Sequence, residues 1–282
     1  MAVFKLGYFT NDSKQLTLGR IFRIFQSDLV KSKTIISQLI KRDIYTQFRQ
    51  QITGILWLAI SPLVSVIGYI IMYTLGILNP GISNYPYFIF VIIGVGLWSL
   101  LTISTSTISN SLVAQSELIL RTNIPLIAIP LASFGRIFLV YLSHITSVFF
   151  LLILFRVPLG PMWFLYPLVA LLPILYGTGF GIFISIWQVV SREIGALTQV
   201  GLQVVFFATP ALFSHTLPIH KLGLIFKFNP LSYPILTPRS FLLESAPLGL
   251  RGFFVSLTLS LLLLFTSIIF FYKKSFVVAE RL

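Results

Sequence analysis

LIKRDIYTQFRQQITGILWLAISPL, residues 39–63, decides how this chain is read. Its first half is charged and amphipathic. Ile36, Ile40, Ile44 and Phe48 recur every four residues, flanked by Leu39, Tyr45 and Ile52, while Lys41, Arg42, Gln47, Arg49, Gln50 and Gln51 fill the other positions. That is the pattern of a helix lying in a membrane interface, apolar side down and cations toward headgroups. The second half runs into Ile55–Leu78, which carries no charge. An uncharged run of about 20 residues or more suits a spanning helix.

Composition points the same way across all 282 residues: 56% are hydrophobic, 10% are charged, and mean hydropathy is +0.95. The apolar runs are continuous rather than alternating, which predicts an all-α polytopic membrane protein and excludes a β-barrel. There are no cysteines, so no disulfide or thiolate metal site can form. The net charge of +13 does not imply nucleic acid, because the cations flank hydrophobic runs, where they set topology and meet anionic lipid.

Working outward, residues 1–31 read as a loosely ordered cytoplasmic tail without a signal peptide, and 32–51 as the interfacial helix. Six spans are expected near 52–78, 87–108, 127–155, 164–190, 194–213 and 253–272. The second ends in TISTSTISNS, whose hydroxyls can bond back to helix carbonyls and carry the helix beyond the membrane. Residues 112–125 form a short amphipathic segment with Glu117 and Arg121 four apart. Glycines 177, 179 and 181 permit close helix approach without making a face repeat. The section 214–251 is too apolar for a solvated loop and too rich in proline to span, so short re-entrant helices at the outer face are expected. Most cations then fall inside, from Lys5 to Lys41, Arg42, Arg49, Arg121, Arg192, Lys273 and Lys274, with both termini cytoplasmic. Arg156, Lys221, Lys227, Arg239 and Arg251 fall outside and read, one by one, as solvated.

Candidates for chemistry are few. There is no G-x-x-x-x-G-K-[ST] loop, so no P-loop nucleotide site, and no HExxH or carboxylate cluster. None of the seven acidic residues falls at mid-membrane, which argues against an ion-coupled carrier and an embedded hydrolase. Arg136 and His144 lie inside the third span. Arg136 either snorkels to the interface or acts on a substrate, and His144 reads as a neutral interhelical hydrogen-bonder. Trp57 and Trp98 read as interface or lipid-facing bulk, with channel lining as the alternative.

Lys41-Arg42-Asp43, Arg49, Gly54-Ile55-Leu56-Trp57 and Pro62 resemble the start of the membrane subunit of an ABC-2-type exporter. More narrowly, they resemble permeases that export capsular polysaccharide, lipid-linked O-antigen or teichoic acid. Further on, Asn110, Leu112, Glu117, Leu118, Ile119, Arg121 and Pro125 resemble that family's coupling segment. Arg192-Glu193 stands where the family has an Arg-acidic pair, and Asn229-Pro230 with Arg239 resembles its outer-face motif. The resemblance implies a homodimer in the cytoplasmic (inner) membrane, powered by two copies of a separate ATPase that carries the ATP and Mg; this chain itself holds no cofactor. It implies headgroup contacts at Lys41, Arg42 and Arg49, ATPase coupling through Glu117, Leu118, Arg121, Arg192 and Glu193, and an outer gate at Asn229, Pro230 and Arg239. A drug or peptide exporter shares this topology. A membrane-embedded glycan-modifying enzyme would need buried catalytic groups, of which only His144 qualifies.

Overall fold

The computed structural model describes residues 17–49, 60, 62–78, 85–213, 229–243 and 249–281. Among these, every regular element is helical. Helix α1 (Leu18–Arg49) is unbroken for 32 residues. It therefore begins well before residue 32, and residues 18–31 belong to it rather than to a loose tail. Among its described side chains Ile21, Asp28, Ser32 and Leu39 are the buried ones, spaced seven, four and seven apart along one face. Two of the four are polar, so hydropathy alone hides the stripe. Near its end α1 crosses the bundle closely, since a Cβ on Gly135 would stand 2.8 Å from Ile40 Cγ2.

Among the described residues, four helical stretches are long and apolar enough to cross a membrane: Tyr87–Ala114, Ala128–Leu154, Trp163–Val190 and Arg251–Ser275. They match four of the six expected spans. The first expected span is described only from Ile60, with α2 (Ile67–Thr74) inside it, and Trp57 lies outside the described residues. The fifth is helical only as α9 (Glu193–Phe207), whose 15 residues reach roughly 22 Å, short of the hydrocarbon thickness. Residues 208–213 continue it as turns rather than helix.

Helix α3 (Tyr87–Ala114) is the axis of the fold. Its polar end stays helical because Ser104, Thr105 and Ser111 donate to the carbonyls of Leu100, Leu101 and Ile108. Beyond Gln115 come the single-turn helices α4 (Ser116–Arg121) and α5 (Ala128–Ala132), then α6 (Phe134–Leu154). The short α7 (Tyr166–Val169) leads into α8 (Leu172–Val190), which packs on α3 more extensively than any other helix does.

Glycine makes that packing. A Cβ on Gly177 would stand 2.5 Å from Leu101 O, and one on Gly181 2.7 Å from Ile108 Cβ. Gly179 faces Leu263 on the opposite side. The alternating glycines thus contain a face repeat after all, the pair four apart, which allows close backbone approach. Leu263 belongs to α11 (Gly249–Arg281), which continues past Lys273 and Lys274 as helix instead of ending there.

At the far end from α1, the described residues of the 214–251 section form a 3-10 turn (Pro230–Ser232), α10 (Tyr233–Leu243) and the first residues of α11. Nine of the eleven α10 residues are buried, which suits irregular, proline-broken backbone covered by protein. Leu242 O accepts from Gly160 N at 2.9 Å, and Leu243 O accepts from the Tyr85 hydroxyl, tying α10 to the neighbouring connections.

Candidate functional site

Where α1 crosses the bundle, it roofs a cavity of about 860 Å³. Arg42, Asp43 and Thr46 come from α1, Ser106, Thr107 and Asn110 from the polar end of α3, and Arg136 from the first turn of α6. Gln188 near the end of α8 and Gln199 on α9 complete the wall. The local sequence explains the polarity. The Ser/Thr run of α3 puts Ser106, Thr107 and Ser109 on this wall, and two glutamines interrupt otherwise apolar helices.

The cations differ in what they are free to do. Arg42 Nη2 lies 2.9 Å from Asp43 Oδ1, so its charge is balanced by its own neighbour, and both side chains are about half-exposed. Arg136 is exposed, and among the described residues neither ion pair involves it. A cation in a span that faces a polar cavity has water or a ligand to satisfy it.

Gln188 is 7% exposed; its Nε2 donates to Asn110 Oδ1 at 3.1 Å, and its Oε1 has no partner among the described residues. The amide fits because position 195 is glycine: a Cβ there would meet Gln188 Nε2 at 2.7 Å. This contact ties the ends of α3 and α8 to the first turn of α9. It also brings the turn at Ser191–Glu193 to the same end of the bundle as α4.

Other expected residues are placed as follows. Lys41 is exposed on α1, and the Arg49 side chain lies outside the described residues. Glu117 and Arg121 form the expected pair at 3.8 Å, both well exposed. Leu112 is fully buried and Leu118 and Ile119 are half-buried, so they serve their own bundle; Leu120 is the apolar side chain that α4 leaves exposed. Arg192 and Glu193 are exposed. Trp98 is 6% exposed and packs on Phe206 at 5.7 Å, so it is neither belt nor lipid-facing bulk. His144 is buried, 2.8 Å from the Tyr166 hydroxyl, with its ring seated over Gly96. It bridges helices, as expected of it.

Of the outer cations read as solvated, Arg156 and Arg251 are exposed, Lys221 and Lys227 lie outside the described residues, and Arg239 overturns the reading. It is 4% exposed, Nη2 donates to Pro210 O at 2.6 Å and Nη1 to Ala211 O at 3.5 Å, and the guanidinium stands 3.8 Å over the Phe90 ring. Asn229 Nδ2 donates to Ala208 O at 2.8 Å while its Oδ1 caps Leu231 N. The two expected outer-face residues therefore meet at one place, the carbonyl end of α9, where cation and donors are favoured.

The sequence pattern characteristic of the ABC-2 type transporter matches residues 34–243. The chain belongs to that family. It is the membrane subunit of a transporter, with several helices suited to spanning. Two O-antigen export system permease proteins, RfbA of Klebsiella pneumoniae, are 25% and 26% identical to it over 200 residues, 70% of this chain and 76% of theirs. RfbA of Myxococcus xanthus, another O-antigen export system permease protein, is 21% identical over 190 residues, 66% and 70% of the two chains. The match begins at residue 34, so the first half of α1 lies outside it.

Sequence reasoning missed Gln188, Gln199 and Gln203. The signal was present: a glutamine pair four apart in the apolar helix Glu193–Phe207 marks one polar face.

Proposed function

We propose that this permease exports a lipid-linked cell-surface glycan across the cytoplasmic membrane as a homodimer driven by two copies of a separate ABC ATPase. The observation that carries the reading is the polar cavity under α1, with Arg42 and Arg136 on its wall. The relatives' names support the glycan. The α1 end is taken as cytoplasmic, because it gathers Lys41, Arg42, Arg121, Arg192, Lys273 and Lys274. The lipid end approaches along α1, where Lys41, Arg42 and Arg49 meet phosphate groups; each such cation is worth about 1 kcal/mol at an anionic surface. ATP and Mg sit on the partner subunit. Its motion reaches the spans through α4, with the Ser191–Glu193 turn as a second contact, and Asn229, Pro230 and Arg239 belong to the outer gate.

Purification supplies the test. The chain should co-purify two-plus-two with a P-loop subunit whose hydrolysis rises when glycan-lipid is added, and should hydrolyse no ATP alone. Intrinsic hydrolysis in the pure chain would sink the reading. For the coupling role, Leu120→Asp with Arg121→Ala should cut ATPase pull-down or export about tenfold or more, since charge in an apolar socket is costly. If both survive, coupling lies elsewhere.

A further inference from the structure

A second cavity, of about 500 Å³, lies between α2, α3 and α9. Gln199 lines both cavities, so they meet along one face of α3 and α9. The lining chemistry changes between them. The α1 cavity holds Arg42, Asp43 and Arg136. The second is lined by Ser, Thr, Gln and apolar or aromatic residues, with no Lys, Arg, His, Asp or Glu among the described ones.

On α3, Ser99, Thr102 and Ser106 follow one another at helical spacing along the joined wall. Their hydroxyls donate to Val95 O, Ser99 O and Ile103 O, which leaves oxygen lone pairs as acceptors. On α9, Gln199 and Gln203 are exposed and offer amide donors and acceptors. Where the first cavity ends against α8, the buried Gln188 Oε1 is an acceptor without a partner among the described residues. Tyr69, Trp98 and Phe206 floor the other end.

We infer that the joined cavities sort a substrate by charge: one anionic group at Arg42 and Arg136, and an uncharged sugar chain along Ser99, Thr102, Gln199 and Gln203. The inference rests on the glycan-export reading and narrows it. Sugar hydroxyls exchange their water for hydroxyl and amide partners at little net cost. A phosphate in every repeat unit would enter a groove at membrane depth that offers no countercharge, which is expensive. Polymers of the teichoic acid kind are therefore not the substrate.

The test uses the full chain in phosphatidylcholine nanodiscs and two fluorescent probes. One is a prenyl diphosphate bearing a neutral hexasaccharide; the other bears the same sugars joined by phosphodiesters. Wild type should prefer the neutral chain by about tenfold or more. Gln203 is exposed, so both Gln203→Lys and Gln203→Glu should fold. The lysine variant should narrow the preference and the glutamate variant should widen it. Arg136→Gln should weaken both probes by the same factor. Tighter or equal binding of the phosphodiester chain overturns the inference, as does a preference that both Gln203 variants move in one direction or leave unmoved. Binding of neither probe by wild type is a different result: it removes the glycan-export reading itself.

Discussion

Two arginines occupy opposite ends of the bundle in opposite circumstances. Arg136, written inside an apolar span, stands exposed in a polar cavity of about 860 Å³. Arg239, written in a loop-like section rich in proline, is sunk among Phe90, Pro210 and Ala211 with its donors in use. The far end has turned a cation into a structural bolt. The α1 end leaves its cation available. Burial and partners, not position in the hydropathy profile, separate a charge that holds the fold from one that can hold a ligand.

The largest expected effect falls on the bolt. Arg239→Gln leaves Pro210 O and Ala211 O short of donors in a buried place and removes the cation over Phe90. A loss of about 3 kcal/mol is expected, measured as earlier thermal unfolding in detergent, with Arg239→Lys recovering part of it. An unchanged midpoint would make the buried contacts incidental. Next in size is Gly177→Ala, whose Cβ would stand 2.5 Å from a backbone oxygen of α3. Overpacking of this kind costs about 2 kcal/mol, whereas Gly201→Ala, with open space around it, should cost little. Equal costs at the two glycines would mean that the α3–α8 contact is loose.

How much of this was legible beforehand follows from the range of each signal. The helices 87–114 and 163–190 were readable because length, apolarity and back-bonding hydroxyls are local properties. The Glu117–Arg121 pair was readable because four-residue spacing is helical geometry. Arg239 was not, since its partners lie 28 and 29 residues away across a turn. The early start of α1 was missed because its buried stripe includes Asp28 and Ser32, which pack against the bundle instead of water. The cavity was missed for a similar reason: Arg136 and Gln188 come together only after α6 and α8 have packed on α3.

Asp28 offers a smaller test, a buried carboxyl at the α1 end whose charge, unlike that of the bolt, opposes folding. Its Oδ2 accepts from the Tyr272 hydroxyl at 2.9 Å, and Phe25 meets the Tyr272 ring edge-on at 6.4 Å. Burial raises the Asp28 pKa above its ordinary value, although the Tyr272 bond and Lys31 oppose the rise. A carboxyl with a raised folded pKa binds more protons folded than unfolded. Stability therefore falls as pH climbs from the ordinary carboxylate pKa through the raised one. Asp28→Asn keeps an acceptor for Tyr272 and removes the charge. It should leave the midpoint equal or slightly higher at pH values where the wild-type carboxyl is ionised, and flatten its dependence on pH above the ordinary carboxylate range. A midpoint that falls sharply in the variant would mean that the charged carboxylate, through its bond from Tyr272, holds α1 to α11.

Arg136 should show the smallest effect on stability, and that null result sharpens the comparison most. Its guanidinium is exposed and outside both described ion pairs, so Arg136→Gln removes no contact that the fold uses. Substitutions of that kind stay within about 0.5 kcal/mol. The thermal midpoint should not move while glycan export falls severely, because, among the described residues, the cavity would lose its cation that stands outside any ion pair. The double variant Arg136→Gln with Arg239→Gln should then unfold where Arg239→Gln alone unfolds, since sites at opposite ends of the bundle add independently. If Arg136→Gln alone lowers the midpoint as far as Arg239→Gln does, both arginines are bolts, and the cavity under α1 owes its polarity to folding instead of to a substrate.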